Sequence, residues 1–341
     1  MPIMPQKMHF SLAQRFHQIL FVILVVVLCF AWQRLSSEKL TTTLMTRPIG
    51  VMGTSCTLCV TVPNRDLQRG NELLKLAEQE LRRWEQFTST WIETSEISRI
   101  NRAKAGERVP VSPITREFFR RSRQAFEETD GAFDVTCGAL WLHWKACEKE
   151  NRLPTQEELS LIRKESSWDA LELGPDSVTK RTDALSVVTG GLAKGMAIDA
   201  ALTVFSSDPI TVSAFVEVGG DLASYRSSVP IEVESFDGTP RTILLPNGGI
   251  CTSGHSARRF EIQGRHFSQI LNPASGQPVP RNWNVTVTAP NAATADYWAT
   301  ALEVLGKDGL SRLPKGIQAE FTELPDPHSG SLDSSQKSDY N

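Results

Sequence analysis

The sequence has no repeated block, no G-x-x-x-x-G-K-[ST] segment and no G-x-G-x-x-G fingerprint. The first absence excludes solenoids and propellers, and the other two remove the common phosphate cradles of NTPases and dinucleotide dehydrogenases. There is no excess of positive charge either: 36 basic residues stand against 39 acidic ones, for a net charge of -3. Without a basic stripe to neutralise phosphates, no nucleic-acid partner is expected. The 6 cysteines form no paired-knuckle spacing. Cys56 and Cys59 make one C-x-x-C, but VMGTSCTLCVTV reads as a strand, on which residues three apart face opposite ways. Zinc and redox use are therefore disfavoured there. A disulfide such as Cys137 with Cys147 is compatible with an exported chain, and sequence does not decide it.

No apolar run reaches the roughly 20 residues of a full membrane span. The longest, Ile19 to Trp32, has 14 and follows Lys7 and Arg15. That length and flank suit an exported chain. An uncleaved anchor is expected, because no small-x-small cleavage site follows and Leu28 precedes Cys29 where a lipoprotein signal wants a small residue. A cleaved or lipidated signal and a buried helix are the alternatives. The expected organisation is a signal or anchor over 1–35, a linker over 36–49, a folded domain over 50–313 and a disordered polar tail over 314–341. The chain is then expected on the extracytoplasmic, periplasmic side of the inner membrane, with the membrane itself as a partner of residues 19–32.

Within the folded part, Val51 to Pro63 reads as a strand. Arg69 to Phe87 reads as an amphipathic helix carrying Leu73, Leu74, Ala77, Leu81 and Trp84 on one face. Thr94 or Ser95 caps a short turn of helix ending near Asn101, and Ser112 caps a longer helix with Pro113 at its first position. Trp91, between these helices, reads either as a packing residue or as a flat surface on which a cofactor ring stacks. Asp134 lies in an apolar neighbourhood, in DGAFDVT, and needs partners: local backbone or a ligand. Thr189 to Leu202, TGGLAKGMAIDAAL, sets three glycines around Lys194 ahead of an alanine-rich helix, which suits a loop close to phosphate at a helix N-terminus. Strands follow at 214–223, 231–245 and 250–254, and beyond 265 a strand runs into a proline-glycine turn.

The stretch Asn284 to Gly306 carries the sharpest chemical signal. Val285 and Val287 alternate with Thr286 and Thr288 as a half-buried strand, and after Ala289-Pro290-Asn291 a helix runs to Gly306. Asp296 and Thr300 are four apart, so both project from one helix face. A carboxylate and a hydroxyl so stacked make a hard oxygen pair suited to Mg²⁺. The competing reading has Thr300 bonded back to its own helix and Asp296 complementing the helix dipole.

Taken together, Met52-Gly53-Thr54, STW with SEISRIN, GAFDVT, GGLAKGMAIDAAL, VEVGGDLAS, TSG, NPASGQPV and ADYWATAL with VLG resemble the ApbE-type FAD:protein FMN transferases. The likeness spans roughly Gly50 to Gly306, with the segments in family order. It implies a single α+β, T-fold-like domain of mixed or antiparallel sheets with packed helices. It also implies Mg²⁺ on Asp296, Thr300 and the main-chain oxygen of Ala193. FAD, the substrate, would be lined by Met52, Trp91, Ala132, Phe133, Asp134, Lys194 and Ile270. The implied reaction moves FMN from FAD to a threonine of an acceptor protein and releases AMP. Three departures bear on the proton acceptor: Gln269 and Asn272 stand where the family's H-I-x-D-P turn has His and Asp, and Val188 stands where many members carry Asp. His255, after TSG, is the candidate for a substitute base, with an ordinary surface histidine as the alternative reading. Two other readings are a protein that binds FAD and metal without transfer, and an FAD pyrophosphatase.

Overall fold

The computed structural model describes residues 40–227, 229–234, 240–245, 247–254, 259–280 and 283–323. In chain order the elements are β1 (Thr41–Thr46), β2 (Cys56–Pro63), α1 (Leu67–Thr88), α2 (Glu96–Arg102), β3 (Arg108–Pro110), α3 (Pro113–Glu128), α4 (Gly138–Lys149) and α5 (Gln156–Glu165). Then come β4 (Leu171–Leu173), β5 (Ser177–Lys180), α6 (Ala193–Ser206), β6 (Ser213–Val218), β7 (Asp221–Tyr225), β8 (Val229–Glu234), β9 (Pro240–Leu245) and β10 (Gly248–Ser253). The chain closes with β11 (Arg259–Ile262), β12 (Arg265–Ser268), β13 (Trp283–Ala289), α7 (Ala292–Leu305) and β14 (Gln318–Glu323).

Two-residue alternation builds the main sheet. Leu58, Val60 and Val62 of β2, Val216 and Val218 of β6, and Val285 and Val287 of β13 are fully buried, while the residues between them are not. Seven strands pair in the order β1-β2-β6-β7-β10-β13-β14, every pair antiparallel. Helices α1, α6 and α7 pack on this sheet, and the principal core lies between them. The result is the mixed α+β domain expected, with a wholly antiparallel main sheet. A smaller core gathers Leu140, Trp144, Cys147, Leu159, Phe260 and Ile262 between α4, α5 and the β11–β12 hairpin.

Two expected boundaries are corrected. The spacer over 36–49 contains β1, paired with β2 from Thr41↔Pro63 to Thr46↔Leu58. Its threonine-rich composition suits an edge strand as well as a linker, because β-branched side chains favour the pleated backbone. The tail from 314 contains β14, paired with β13 from Trp283↔Glu323 to Thr288↔Gln318, and Ala319 and Phe321 pack against the core. An edge strand with one wet face needs few apolar residues, which is why its sequence reads as polar. Residues 324–341 and the apolar run at 19–32 lie outside the described residues. Among those described, no helix is long and apolar enough to cross a membrane. The described cysteines are free thiols, Cys137 and Cys147 included, so that pair forms no disulfide.

Candidate active site at two crossing helix N-termini

Helices α6 and α7 start side by side, and each supplies the other with an anionic cap. Asn291 caps α7 by accepting the Thr294 N–H at 2.8 Å. The next orphan donors, the N–H groups of Ala292 and Ala293, are taken at 2.8 and 2.9 Å by the two carboxylate oxygens of Asp199 on α6. In return Asp296 Oδ2 on α7 accepts the Gly195 N–H of α6 at 3.0 Å. The crossing depends on Gly195, where a Cβ would lie 2.6 Å from the Ala292 carbonyl oxygen. Asp296 thus complements a helix dipole, but that of the neighbouring helix and not its own.

The surrounding charge is unbalanced. Lys194 Nζ lies 2.7 Å from Asp221 Oδ2, and Asp221 Oδ1 accepts the Thr252 N–H at 3.1 Å. Asp221 opens β7 directly after the Gly219-Gly220 turn. Burial works against the Lys194 ammonium, yet the carboxylates of Asp221 and Asp296 outweigh it and hold its pKa above the ordinary value. Burial raises Asp221 against the pull of Lys194. It raises Asp296 to about 7, helped by repulsion from Asp221 and Asp199 and opposed by Lys194 and the Gly195 N–H. Asp199 is raised by burial to about 6.

Thr300 completes the corner. Gly191 has φ +83°, and a Cβ there would sit 2.5 Å from Thr300 Oγ1 and 3.2 Å from the Phe133 ring, so the glycine loop, Phe133 and Thr300 converge. Phe133 also meets Tyr297, ring centroids 6.0 Å apart. The loop is pinned from behind: Asn101 exchanges two hydrogen bonds with Val187, and Val188 donates to the Val135 carbonyl. Ala193 is the first residue of α6 and donates its N–H to Thr189. Met52 adopts φ +51° in the turn bridging Val51 and Thr54. That turn abuts the double glycine, since a Cβ on Gly219 would meet Thr54 at 2.8 Å.

The remaining expected residues fall in two groups. Asp134 uses local backbone, its Oδ1 accepting from Thr136 N and Oγ1, and burial raises its pKa. It nevertheless borders a cavity of about 310 Å³ shared with Pro273 of the proline-glycine turn and with Arg163 and Lys164. Ala132 is buried beside it, and Ile270 is half-buried where β12 enters that turn, its carbonyl accepting from Val279 N. Trp91 is 75% exposed, so it is no packing residue; its N–H and that of Ile92 are held by Ser89 Oγ. His255 lies outside the described residues. Gln269 Nε2 reaches the Arg259 carbonyl at 3.4 Å, and Asn272 Oδ1 accepts the N–H groups of Ala274 and Ser275, forming the turn.

Sequence reasoning picked Lys194, Asp296 and Thr300 but passed over Asp199 and Asp221. Both were visible as single carboxylates inside apolar runs, MAIDAAL and VGGDLA, where an ionised group must find buried partners.

Residues 52–321 match the sequence model of the ApbE family. A protein of Escherichia coli K12 named FAD:protein FMN transferase is 27% identical over 263 residues, which are 72% of this chain and 75% of that one. Its namesake in Chlamydia muridarum is 32% identical over 227 residues, 64% of this chain and 71% of the relative. Among solved structures, the apo form of the Pseudomonas stutzeri flavinyl transferase ApbE superposes with a TM-score of 0.68 at 26% identity, covering 82% of this chain and 90% of that one. The ApbE protein of Thermotoga maritima gives 0.70 at 26% identity, covering 83% and 94%. With the family's sequence pattern along the domain and its fold beneath, this chain belongs to the ApbE family.

Proposed function

We propose that this chain is an Mg²⁺-dependent FAD:protein FMN transferase that passes FMN to a threonine hydroxyl of an acceptor protein and releases AMP. Relatives bearing that name support the reaction. One observation carries the metal: two buried carboxylates, Asp221 and Asp296, share a single ammonium, Lys194, and Asp296, repelled by Asp221 and by the half-buried Asp199, is driven to a pKa of about 7. That deficit of positive charge fits a divalent cation, and the donors are hard oxygens: the Asp296 carboxylate, the Thr300 hydroxyl and the Ala193 carbonyl. When bound, the ion offsets charge on the dinucleotide's diphosphate.

The chain's own groups do the rest. Lys194 has three N–H donors and commits one to Asp221, which leaves donors for a phosphate oxygen. Phe133 and Gly191 form a close wall beside Thr300, and the exposed side chain of Trp91 offers a stacking surface. Met52, Ala132, Asp134 and Ile270 complete the proposed FAD surroundings. In the transfer, the threonine oxygen bonds to the FMN phosphorus, the bond from that phosphorus to the bridging oxygen breaks, and AMP leaves. The hydroxyl proton goes to a base, for which His255 is the candidate. The run at 19–32 supports an exported, membrane-held chain, which protease accessibility from the extracytoplasmic side would test.

A second reading, binding without transfer, is favoured by Gln269 alone, since an amide takes up no proton at neutral pH. Asn272 gives it no support, because accepting two backbone N–H groups is work that Asp does equally well. Incubating the protein with FAD, Mg²⁺ and an acceptor domain separates the readings. A mass gain of one FMN on an acceptor threonine supports transfer, intact bound FAD supports binding alone, and free FMN with AMP means hydrolysis. AMP release unaffected by chelation or by Asp296→Ala sinks the metal assignment.

A further inference from the structure

We propose a second metal site, for a zinc-class transition ion, on His143, Cys147 and Glu158. His143 and Cys147 are four apart on α4 and share a face, and Glu158 reaches them from the first turn of α5. His143 Nε2 lies 3.6 Å from Cys147 Sγ and 3.4 Å from Glu158 Oε2, and all three donor atoms fall within 4.8 Å of one another. Tetrahedral zinc with N, O and S ligands sets its donors about 3.3–3.6 Å apart, from bond lengths of roughly 2.0–2.3 Å. The two distances through the imidazole therefore match the edges of such a site before any ion enters. Mixed imidazole, thiolate and carboxylate donors favour zinc over magnesium or calcium.

Burial divides the cluster as a site needs. Cys147 is fully buried in the smaller core, whereas His143 and Glu158 are partly exposed and leave an approach for the ion and a water as fourth ligand. Glu158 is already aimed: its Oε2 accepts the Thr155 N–H at 2.8 Å in a capping box, and Arg152 bridges both carboxylate oxygens. Such outer contacts fix a ligand's orientation. Arg152 must surrender Oε2 to the ion, and Glu150 Oε2, 2.6 Å from Arg152 Nε, keeps the guanidinium alongside when it does.

The consequence reaches the turn beside the cavity that Asp134 and Pro273 line. Helix α4 carries the β11–β12 hairpin: Glu148 accepts the Glu261 N–H at 2.7 Å, Asn151 accepts the Gln263 N–H at 2.6 Å, and Phe260 stacks on Trp144. The hairpin runs directly into Gln269 and Ile270. An ion tying α4 to α5 fixes the base on which that turn stands.

The test uses the full-length, metal-stripped chain in detergent, titrated with Co²⁺ and then Zn²⁺. One Co²⁺ per chain should produce a thiolate-to-cobalt charge-transfer band, retained in Asp296→Asn, lost in Cys147→Ser and at least tenfold weaker in affinity in His143→Gln. Zn²⁺ should displace it and raise the thermal midpoint of wild type but not of Cys147→Ser. A chain that shows no such band at saturating cobalt, or a band surviving both substitutions, overturns the proposal. Should Cys147→Ser fail to fold, the partly exposed His143→Gln carries the same decision.

Discussion

Asp296 and Asp199 hold the first turns of each other's helices: Asp296 accepts the Gly195 N–H of α6, and Asp199 accepts the Ala292 and Ala293 N–H groups of α7. The reciprocity fixes where the two helix N-termini lie, so the donors at their crossing are set by mutual capping before any ligand arrives. Both carboxyls have raised pKa values, and burial is the first cause in each.

For Asp199 the raised value makes stability fall as pH rises. Its carboxyl goes from 3.8 in the unfolded chain to about 6 in the folded one, so the folded state holds the proton more tightly. That contribution is complete below pH ~4 and is lost as pH climbs through about 6; at most it amounts to about 3 kcal/mol. Asp199→Asn removes the titration and one of the two capping acceptors. Denaturant unfolding in the presence of chelator should show wild type losing stability relative to Asp199→Asn between pH 4 and pH 7. Parallel stability curves for the two proteins would refute the assignment.

Gly191 and Gly190 make a matched pair for a second prediction. At Gly191 a methyl meets Thr300 Oγ1 and the backbone is left-handed, while at Gly190 nothing lies within 4 Å. Gly191→Ala should cost about 1–2 kcal/mol from the backbone conformation alone. It should also reduce AMP release more than tenfold by displacing Thr300. Gly190→Ala should leave both within error. Thermal unfolding and AMP release on the two variants check this, and equal effects would mean the loop is not shaped around Thr300.

How much of this was legible depends on the length of the signal. β13 and α7 could be read from the sequence because strict alternation gives way to an alanine-rich helix with Asn291 at its cap. β1 and β14 could not, because edge strands bury one face only and their other face has linker composition. The hydroxyl and carboxylate of Thr300 and Asp296 followed from spacing on one helix, whereas Asp199 and Asp221 act across elements, and only the crossing of α6 over α7 and the double-glycine turn bring them in. Trp91 was ambiguous for a related reason: its exposure depends on what the turn after α1 packs against, which no local pattern encodes.

Asp296→Asn should trade function for stability. The substitution keeps an oxygen for the Gly195 N–H while removing a carboxylate crowded by Asp221 and Asp199. Loss of the charge proposed to hold the metal should lower AMP release by about 10²- to 10³-fold. Relief of buried repulsion should hold or raise the thermal midpoint in the absence of metal. Added Mg²⁺ should then stabilise wild type and leave the variant unmoved. A variant that unfolds earlier than wild type without metal would show that the carboxylate is structural.

Gln269→His tests whether the missing imidazole limits turnover. Gln269 stands at the end of β12 and, among the described residues, its side chain reaches only the Arg259 carbonyl at 3.4 Å, so a histidine there would lose no strong hydrogen bond to them. If the proton of the acceptor hydroxyl lacks an efficient base, the substitution should speed transfer by at least tenfold, within the ~10²- to 10⁴-fold range of general base catalysis. Activity should rise with pH through the ordinary imidazole range, near 6.5, where the neutral ring becomes available. Burst-phase flavinylation of an acceptor domain, measured between pH 5 and 9, distinguishes a chemical from a binding effect. An unchanged rate with an unchanged pH profile would assign proton removal elsewhere, with His255→Gln as the next substitution to measure.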